Sequence, residues 1–259
     1  MEMIEKIVLL GAGNVAAHLG SALQLAGYNI VQVYSKRLAT AEVLAQKLGC
    51  AFTCRMEALT PEADLYVIAV TDDAIAEVSA CFPFRDKLLV HTSGTTPLNV
   101  LQAGSDQTGV LYPLQTFSRD VPVDFSKIPL CLEALRSADR DKLEALARSL
   151  SNTVTWIPSD QRRILHVAAV FGCNFVNHMY AMAAGILEEN GLAFDLLRPL
   201  IEETARKAMK GDPRDMQTGP ARRHNKNIME EHRKMLSANP EYRKMYTFIS
   251  ESIQKAYHQ

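Results

Sequence analysis

Residues 6–20 read KIVLLGAGNVAAHLG, and this stretch decides the fold. Lys6 to Leu10 is a short run of β-branched residues and leucine stopped by glycine, the pattern of a buried strand. The following residues, NVAAHLGSALQLAGY, carry apolar residues at helical spacing, with Gly27 after the helix end. Between strand and helix, Gly11, Gly13 and Ala16 fit the spacing G-x-G-x-x-A. Gly11 permits a tight turn, Gly13 lets a pyrophosphate approach the backbone, and Ala16 lets the helix pack close to the strand. The unpaired N–H groups of the helix start would face the phosphates. Such a pattern is weak alone; here a strand precedes it, a helix follows and a second strand comes next, the context that a dinucleotide site requires. Gly11, Gly13, Asn14 and Val15 are therefore candidate cofactor contacts, with N-capping the other reading of Asn14.

Working outward, the second strand is NIVQVYS, and it runs into Ser35, Lys36 and Arg37. A carboxylate at this place accepts hydrogen bonds from the ribose hydroxyls and repels a 2′-phosphate. A hydroxyl and two cations do the opposite, and a guanidinium forks onto phosphate. These residues point to NADP rather than NAD. The other reading of Lys36 and Arg37 is two solvated charges at a helix entry.

Further strands are read in ADLYVIAV, KLLVHTSG, TGVLYPLQTF, IPLCLEAL and TVTWIP, separated by helices in LATAEVLAQKLG, DAIAEVSACF and ADRDKLEALARSL. This alternation predicts an α/β Rossmann-like, doubly wound, mainly parallel sheet over residues 1–157. From residue 158 to 259 every periodic segment is helical, with Pro199 interrupting one of them early. The second domain is expected to be all-α, for substrate binding and dimerisation.

Composition narrows the function classes. A net charge of −1 leaves no global basic field for nucleic acid or an anionic membrane, so any anion site is local. The five cysteines, Cys50, Cys54, Cys81, Cys131 and Cys173, lack metal-ligand spacing and read as buried free thiols of a reducing compartment, with no metal expected. MEMIEKIVLLGAG does not read as a signal peptide, and no stretch approaches the ~20 apolar residues of a membrane span. A cytoplasmic protein is expected.

In open α/β sheets ligands lie beyond the carboxyl ends of the strands. That rule selects Val70 and Thr71, then Thr92 and Ser93 of HTSG, then Tyr112 and Gln115 of YPLQ. Asp72 and Asp73 read as helix caps, and His91 either as a proton relay or as a strand residue whose ring is satisfied in the core. The absence of a G-x-S-x-G elbow argues against serine hydrolysis. In the long helix after Pro158, His166 and Asn174 interrupt apolar sequence; eight residues apart, they fall within about 80° on a regular α-helix. His166 suits a general acid and Asn174 a donor to a substrate oxygen; a bond to another helix's backbone is the other reading of each. In TGPARR, Arg222 and Arg223 are read as opening a helix, where a cation is disfavoured unless it has an anionic partner, here a substrate group.

In this order, GAGNVA, SKR, VTDDAI, HTSG, YPLQTF, HVAAVFGCN and TGPARR resemble a family of NADP oxidoreductases that pair a Rossmann-like domain with a C-terminal helical domain of unknown function. The wider group is similar to the 6-phosphogluconate and 3-hydroxyisobutyrate dehydrogenases, pyrroline-carboxylate reductase and deazaflavin-dependent NADP reductases. The resemblance implies an interdomain cofactor cleft and a homodimer through the helical domain. Asn174 matches the polar residue near the start of the long helix. Two departures stand out: Val170 replaces the lysine of hydroxyacid dehydrogenases, and Tyr112 stands where the family is expected to have histidine. The resemblance implies a fold and a cofactor, not a substrate. The expected function is hydride transfer between NADP and a small, anionic carbonyl, imine or deazaflavin-type compound. Ser93, Tyr112, His166 and Asn174 are the candidate catalytic residues, and Gln115, Arg222 and Arg223 the substrate contacts. The alternative is a non-catalytic NADP sensor or degenerate dehydrogenase.

Overall fold

A computed structural model describes residues 3–119 and 121–257. Its sheet has eight strands: β1 (Lys6–Leu10), β2 (Asn29–Tyr34), β3 (Ala51–Thr53), β4 (Leu65–Ile68), β5 (Leu88–His91), β6 (Gln107–Pro113), β7 (Leu130–Ala134) and β8 (Val154–Trp156), in the order β3-β2-β1-β4-β5-β6-β7-β8. Helices α1 (Asn14–Leu25), α2 (Leu38–Leu48), α3 (Asp72–Ala80) and α4 (Ser137–Leu150) connect them. The order reverses between β1 and β4, which makes the gap beyond their carboxyl ends the switch point where ligands bind such sheets.

The expected doubly wound, mainly parallel architecture is present. Strand β1 shows why it forms. Val8 and Leu10 pack with Ile68, Ile75 and Val78 on one face, and Ile7 and Leu9 pack with Leu19 and Leu23 of α1 on the other. A strand covered on both faces must be apolar throughout. Two features depart from the sequence reading. β3 is a three-residue edge strand, too short to show a period. β6 and β7 pair antiparallel; among the described residues of the link between them the one helical piece is the short 3-10 turn Phe125–Lys127, whereas a parallel return usually carries a crossover helix.

The chain divides into two compact units, Met1–Asn174 and Phe175–Gln259. The residue 157/158 boundary read from sequence marks the end of the sheet; helix α5 (Ser159–Ala169) follows within the first unit. Residues Val170–Phe175 form a π-helical turn. This turn rephases the helix, so the 80° relation of His166 to Asn174, which assumed regular α geometry, does not hold. The second unit contains α6 (Val176–Glu189), α7 (Arg198–Lys210), α8 (Lys226–Met235) and α9 (Pro240–Tyr257), with no strand among its described residues. Pro199 lies in the first turn of α7, where its missing N–H is not needed; it opens that helix rather than interrupting it.

Helical residues Ser159–Glu189, 31 in number, reach a mean hydropathy of 1.2 in their most apolar window, long and apolar enough to cross a membrane by length and composition alone. The long helical pattern after Pro158 is therefore present, with polar residues such as Asn174 and His178 dividing the apolar ones. Cysteine burial also differs: Cys131 is buried and Cys50 partly so, but Cys54, Cys81 and Cys173 are exposed. Cys54 follows an edge strand, Cys81 caps the end of α3, and Cys173 lies on the uncovered π turn.

Candidate active site

The glycine turn is built as its spacing requires. Gly11 has φ of 132°, and a methyl there would fall 2.3 Å from the Ala69 carbonyl oxygen at the end of β4. Gly13 is the N-cap of α1, with ordinary φ and no side-chain cap bond. Nothing lies within 4 Å of the place its Cβ would occupy, so the first-turn N–H groups open onto free space. Asn14 does not cap the helix: its side-chain amide donates to the Phe117 carbonyl at 3.0 Å. His18 meets the Ser118 carbonyl at 2.9 Å, so the segment after β6 is tied along α1. This arrangement fits a dinucleotide pyrophosphate, with the N–H groups of Asn14 and Val15 facing the space that Gly13 leaves.

Beyond β2, Ser35 is half-buried while Lys36 and Arg37 are exposed. Lys36 Nζ donates to Glu77 Oε2 of α3 at 2.6 Å. Arg37 is the N-cap of α2, and no ion pair engages it among the described residues. The cation free to meet a phosphate is therefore Arg37.

At the ends of β4 and β5, Val70 is half-buried, Thr71 is exposed, and Thr92 and Ser93 are buried. Thr71, not Asp72 or Asp73, is the N-cap of α3. Asp72 instead accepts a hydrogen bond from the Thr95 hydroxyl, while both acids complement the helix dipole. Thr92 donates to the Ile68 carbonyl at 3.3 Å. The Ser93 hydroxyl accepts from the N–H groups of Thr95 at 3.1 Å and Thr96 at 3.0 Å, which shapes the loop. His91 is fully buried. Burial first, then the charge of Arg162, push its pKa down to about 3, so the ring is neutral. Its Nδ1 accepts from Ser93 N–H at 3.1 Å, which leaves Nε2 as the protonated nitrogen, buried on the side of the Pro97 backbone.

Tyr112 and His166, 54 residues apart, meet at 3.1 Å between the phenol oxygen and Nδ1. Gly94 borders both: a methyl there would fall 2.6 Å from His166 Nδ1 and 2.9 Å from the Tyr112 oxygen. Burial pushes the Tyr112 phenol up to about 12, so it carries its proton at neutral pH. Gln115 is exposed, and its side-chain oxygen accepts from Thr116 N–H at 2.8 Å. Asn174 is exposed on the π turn rather than buried in an apolar stretch.

Sequence reading missed Arg162, which is 0% exposed. Its guanidinium pairs with Glu133 of β7 and donates to the Thr96 carbonyl at 2.6 Å and to Ser159 Oγ at 3.2 Å. Ser159 in turn donates to Glu133 at 2.7 Å and accepts from Leu98 N–H at 3.0 Å. The network fixes the start of α5, and with it His166 one turn on, against the loop after β5. The available signal was an arginine four residues before His166, the spacing of one helix face.

In the second unit, Arg222 and Arg223 do not open a helix. They lie in a turn that ends with His224 at φ 55°, and Asn225 caps α8 by accepting from Ile228 N–H at 3.3 Å. Arg222 stacks on the Tyr257 ring at 4.5 Å, and Arg223 is exposed. The dipole cost argued for these arginines therefore does not apply.

Comparison with known proteins adds three findings. A family model described as "NADP oxidoreductase coenzyme F420-dependent" matches residues 6–94, and one described as "Domain of unknown function (DUF2520)" matches residues 128–253. A solved structure described as "putative NADP oxidoreductase" from Bacteroides fragilis is 43% identical, with a TM-score of 0.92 over 97% of this chain and 98% of that one. A Thermotoga maritima protein at 21% identity and TM-score 0.71 covers 96% of this chain and is itself covered over 97%. A pyrroline-5-carboxylate reductase from Coxiella burnetii stands at 18% identity and TM-score 0.58, covering 98% of this chain and 97% of its own. The last two share the fold alone. Among curated proteins none matches.

Proposed function

This chain belongs to the NADP-dependent oxidoreductases that join an F420-type NADP oxidoreductase domain to a DUF2520 domain, and on that premise we propose how its residues divide the work. The reaction is hydride transfer between NADP and a small carbonyl, imine or deazaflavin-type compound, with the Tyr112–His166 pair handling the proton. NADPH, when bound, supplies the hydride. The N–H groups of Asn14 and Val15 hold the pyrophosphate, with Gly11 and Gly13 keeping the approach open. Ser35 and Arg37 read the 2′-phosphate, and Val70, Thr71 and Thr92 border the ribose and nicotinamide.

The observation that carries the chemistry is the 3.1 Å contact between Tyr112 and His166. The phenol keeps its proton at neutral pH, and the imidazole at 3.1 Å can relay a proton to it as it gives its own to the substrate. Ser93 shapes the loop after β5, and exposed Gln115 and Asn174 are the proposed substrate contacts.

The test is NADPH oxidation against a panel of small ketones, keto acids, imines and a deazaflavin. Tyr112→Phe is expected to lower kcat roughly 100-fold with little change in NADPH affinity. An unchanged kcat removes the phenol from the reaction. NADPH binding with no turnover across the panel points back to a sensor.

A homodimer is proposed from the side chains of α5 and the π turn. Ile164 and Val167 of α5 and Phe171 and Phe175 of the π turn are 71, 56, 65 and 49% exposed. Polar residues within the same helical run suit a protein partner better than lipid. Phe171→Glu is expected to convert a dimer to monomer in sedimentation; a wild-type chain already monomeric at micromolar concentration refutes the assembly.

A further inference from the structure

Lys36 stands where a 2′-phosphate wants a cation, yet its charge is already engaged. Its ammonium donates to Glu77, 41 residues away on α3, at 2.6 Å. That hydrogen bond is the main reason the ammonium pKa is raised. The neighbouring cation differs. Arg37 has no carboxylate within ion-pair distance among the described residues. Among the described residues the Ser35 hydroxyl meets only the Arg37 N–H, at 3.4 Å, and α2 begins without a side-chain cap, so its first N–H groups are available beside Arg37. The two cations of this loop therefore have separate partners before any ligand arrives.

We propose that Glu77 is a specificity-determining residue: it holds Lys36 in an ion pair, leaves discrimination between NADP and NAD to Arg37 and Ser35, and limits the positive charge offered to the 2′-phosphate. The proposal rests on the NADP reading of this loop. Both partners are more than half exposed, 57% for Lys36 and 62% for Glu77, so the pair is weak and a phosphate can compete for the lysine. Glu77 then acts through Lys36: it retains part of the lysine population, which opposes NADP and leaves NAD, which lacks the phosphate, untouched.

The test is binding of NADPH, NADH and 2′,5′-ADP to the full chain, measured by fluorescence titration or calorimetry without substrate. Glu77→Gln is expected to tighten NADPH and 2′,5′-ADP about two- to fivefold and leave NADH unchanged. The gain should vanish in the Lys36→Ala background, which isolates the pair from other effects of Glu77. Lys36→Ala alone should weaken NADPH by about twofold or less, and Arg37→Ala by about tenfold or more, because a charge-assisted fork is lost. Equal losses from Lys36→Ala and Arg37→Ala overturn the proposal. So does a Glu77→Gln gain that persists without Lys36 or extends to NADH. Equal affinity of the wild-type chain for NADPH and NADH is a different failure, which overturns the 2′-phosphate reading and this proposal with it.

Discussion

Gly11→Ala is expected to lower stability by about 3–5 kcal/mol and to abolish NADPH binding. Two independent causes add. The residue sits at φ 132°, which side chains rarely adopt, and its new methyl would meet the Ala69 carbonyl oxygen at 2.3 Å and carbon at 2.6 Å. Neither neighbour can yield. Gly11 N–H is bonded to the Tyr34 carbonyl and Ala69 N–H to the Leu10 carbonyl, both at 2.8 Å, so the clash lies between two strands already locked in register. Thermal denaturation should show a midpoint lower by about 10 °C. Gly13→Ala separates folding from binding. Its φ is ordinary, and the added methyl meets nothing within 4 Å, so the melting temperature should hold. The methyl would nonetheless occupy the space proposed for the pyrophosphate, and NADPH affinity should fall at least tenfold. A Gly13→Ala chain that binds NADPH as tightly as wild type places the pyrophosphate elsewhere. A Gly11→Ala chain of normal stability contradicts the packing.

Arg162→Met is expected to cost about 3–5 kcal/mol of stability, measured by urea denaturation. The substitution keeps most of the side-chain length but removes a wholly buried cation. Glu133 then keeps a charge beside no cation, and the Thr96 carbonyl loses the donor at 2.6 Å. Such a penalty is mostly that of the abandoned partner, so Arg162→Met with Glu133→Gln should recover a large part of it. Strictly additive losses, or a single loss below about 1 kcal/mol, would show that the pair is not coupled. Turnover should fall as well, because the network anchors the start of α5 against the loop that carries Gly94. His166, one turn beyond Arg162, depends on that anchoring to reach Tyr112.

Residues 6–20 carried the strand, the turn and the helix of the first βα unit in plain view, since each signal there is local. Glycine at a positive φ, an apolar strand buried on both faces and small Ala16 against that strand all follow from neighbours in sequence. The same locality explains why Ser35, Lys36 and Arg37 could be placed at the end of β2. Locality also marks where the reading failed. That Asn14 reaches Phe117, that Asp72 takes Thr95, and that Lys36 is held by Glu77 are contacts between different loops, which no spacing encodes. The π turn at Val170–Phe175 has no period of its own in so short a run, and it undid the one geometric relation drawn between His166 and Asn174.

The sequence by itself therefore determined the class of fold, the place of the glycine turn and the cationic end of β2, because hydrophobic period and backbone freedom are properties of adjacent residues. Only the tertiary structure decided which of two adjacent cations is free, that β7 runs against β6, and that Tyr112 meets His166 above a buried Arg162. Those outcomes depend on which groups are brought together from separate parts of the sequence, as Lys36 is with Glu77 and Tyr112 with His166. That proximity comes from packing the sheet and its helices, not from any single segment.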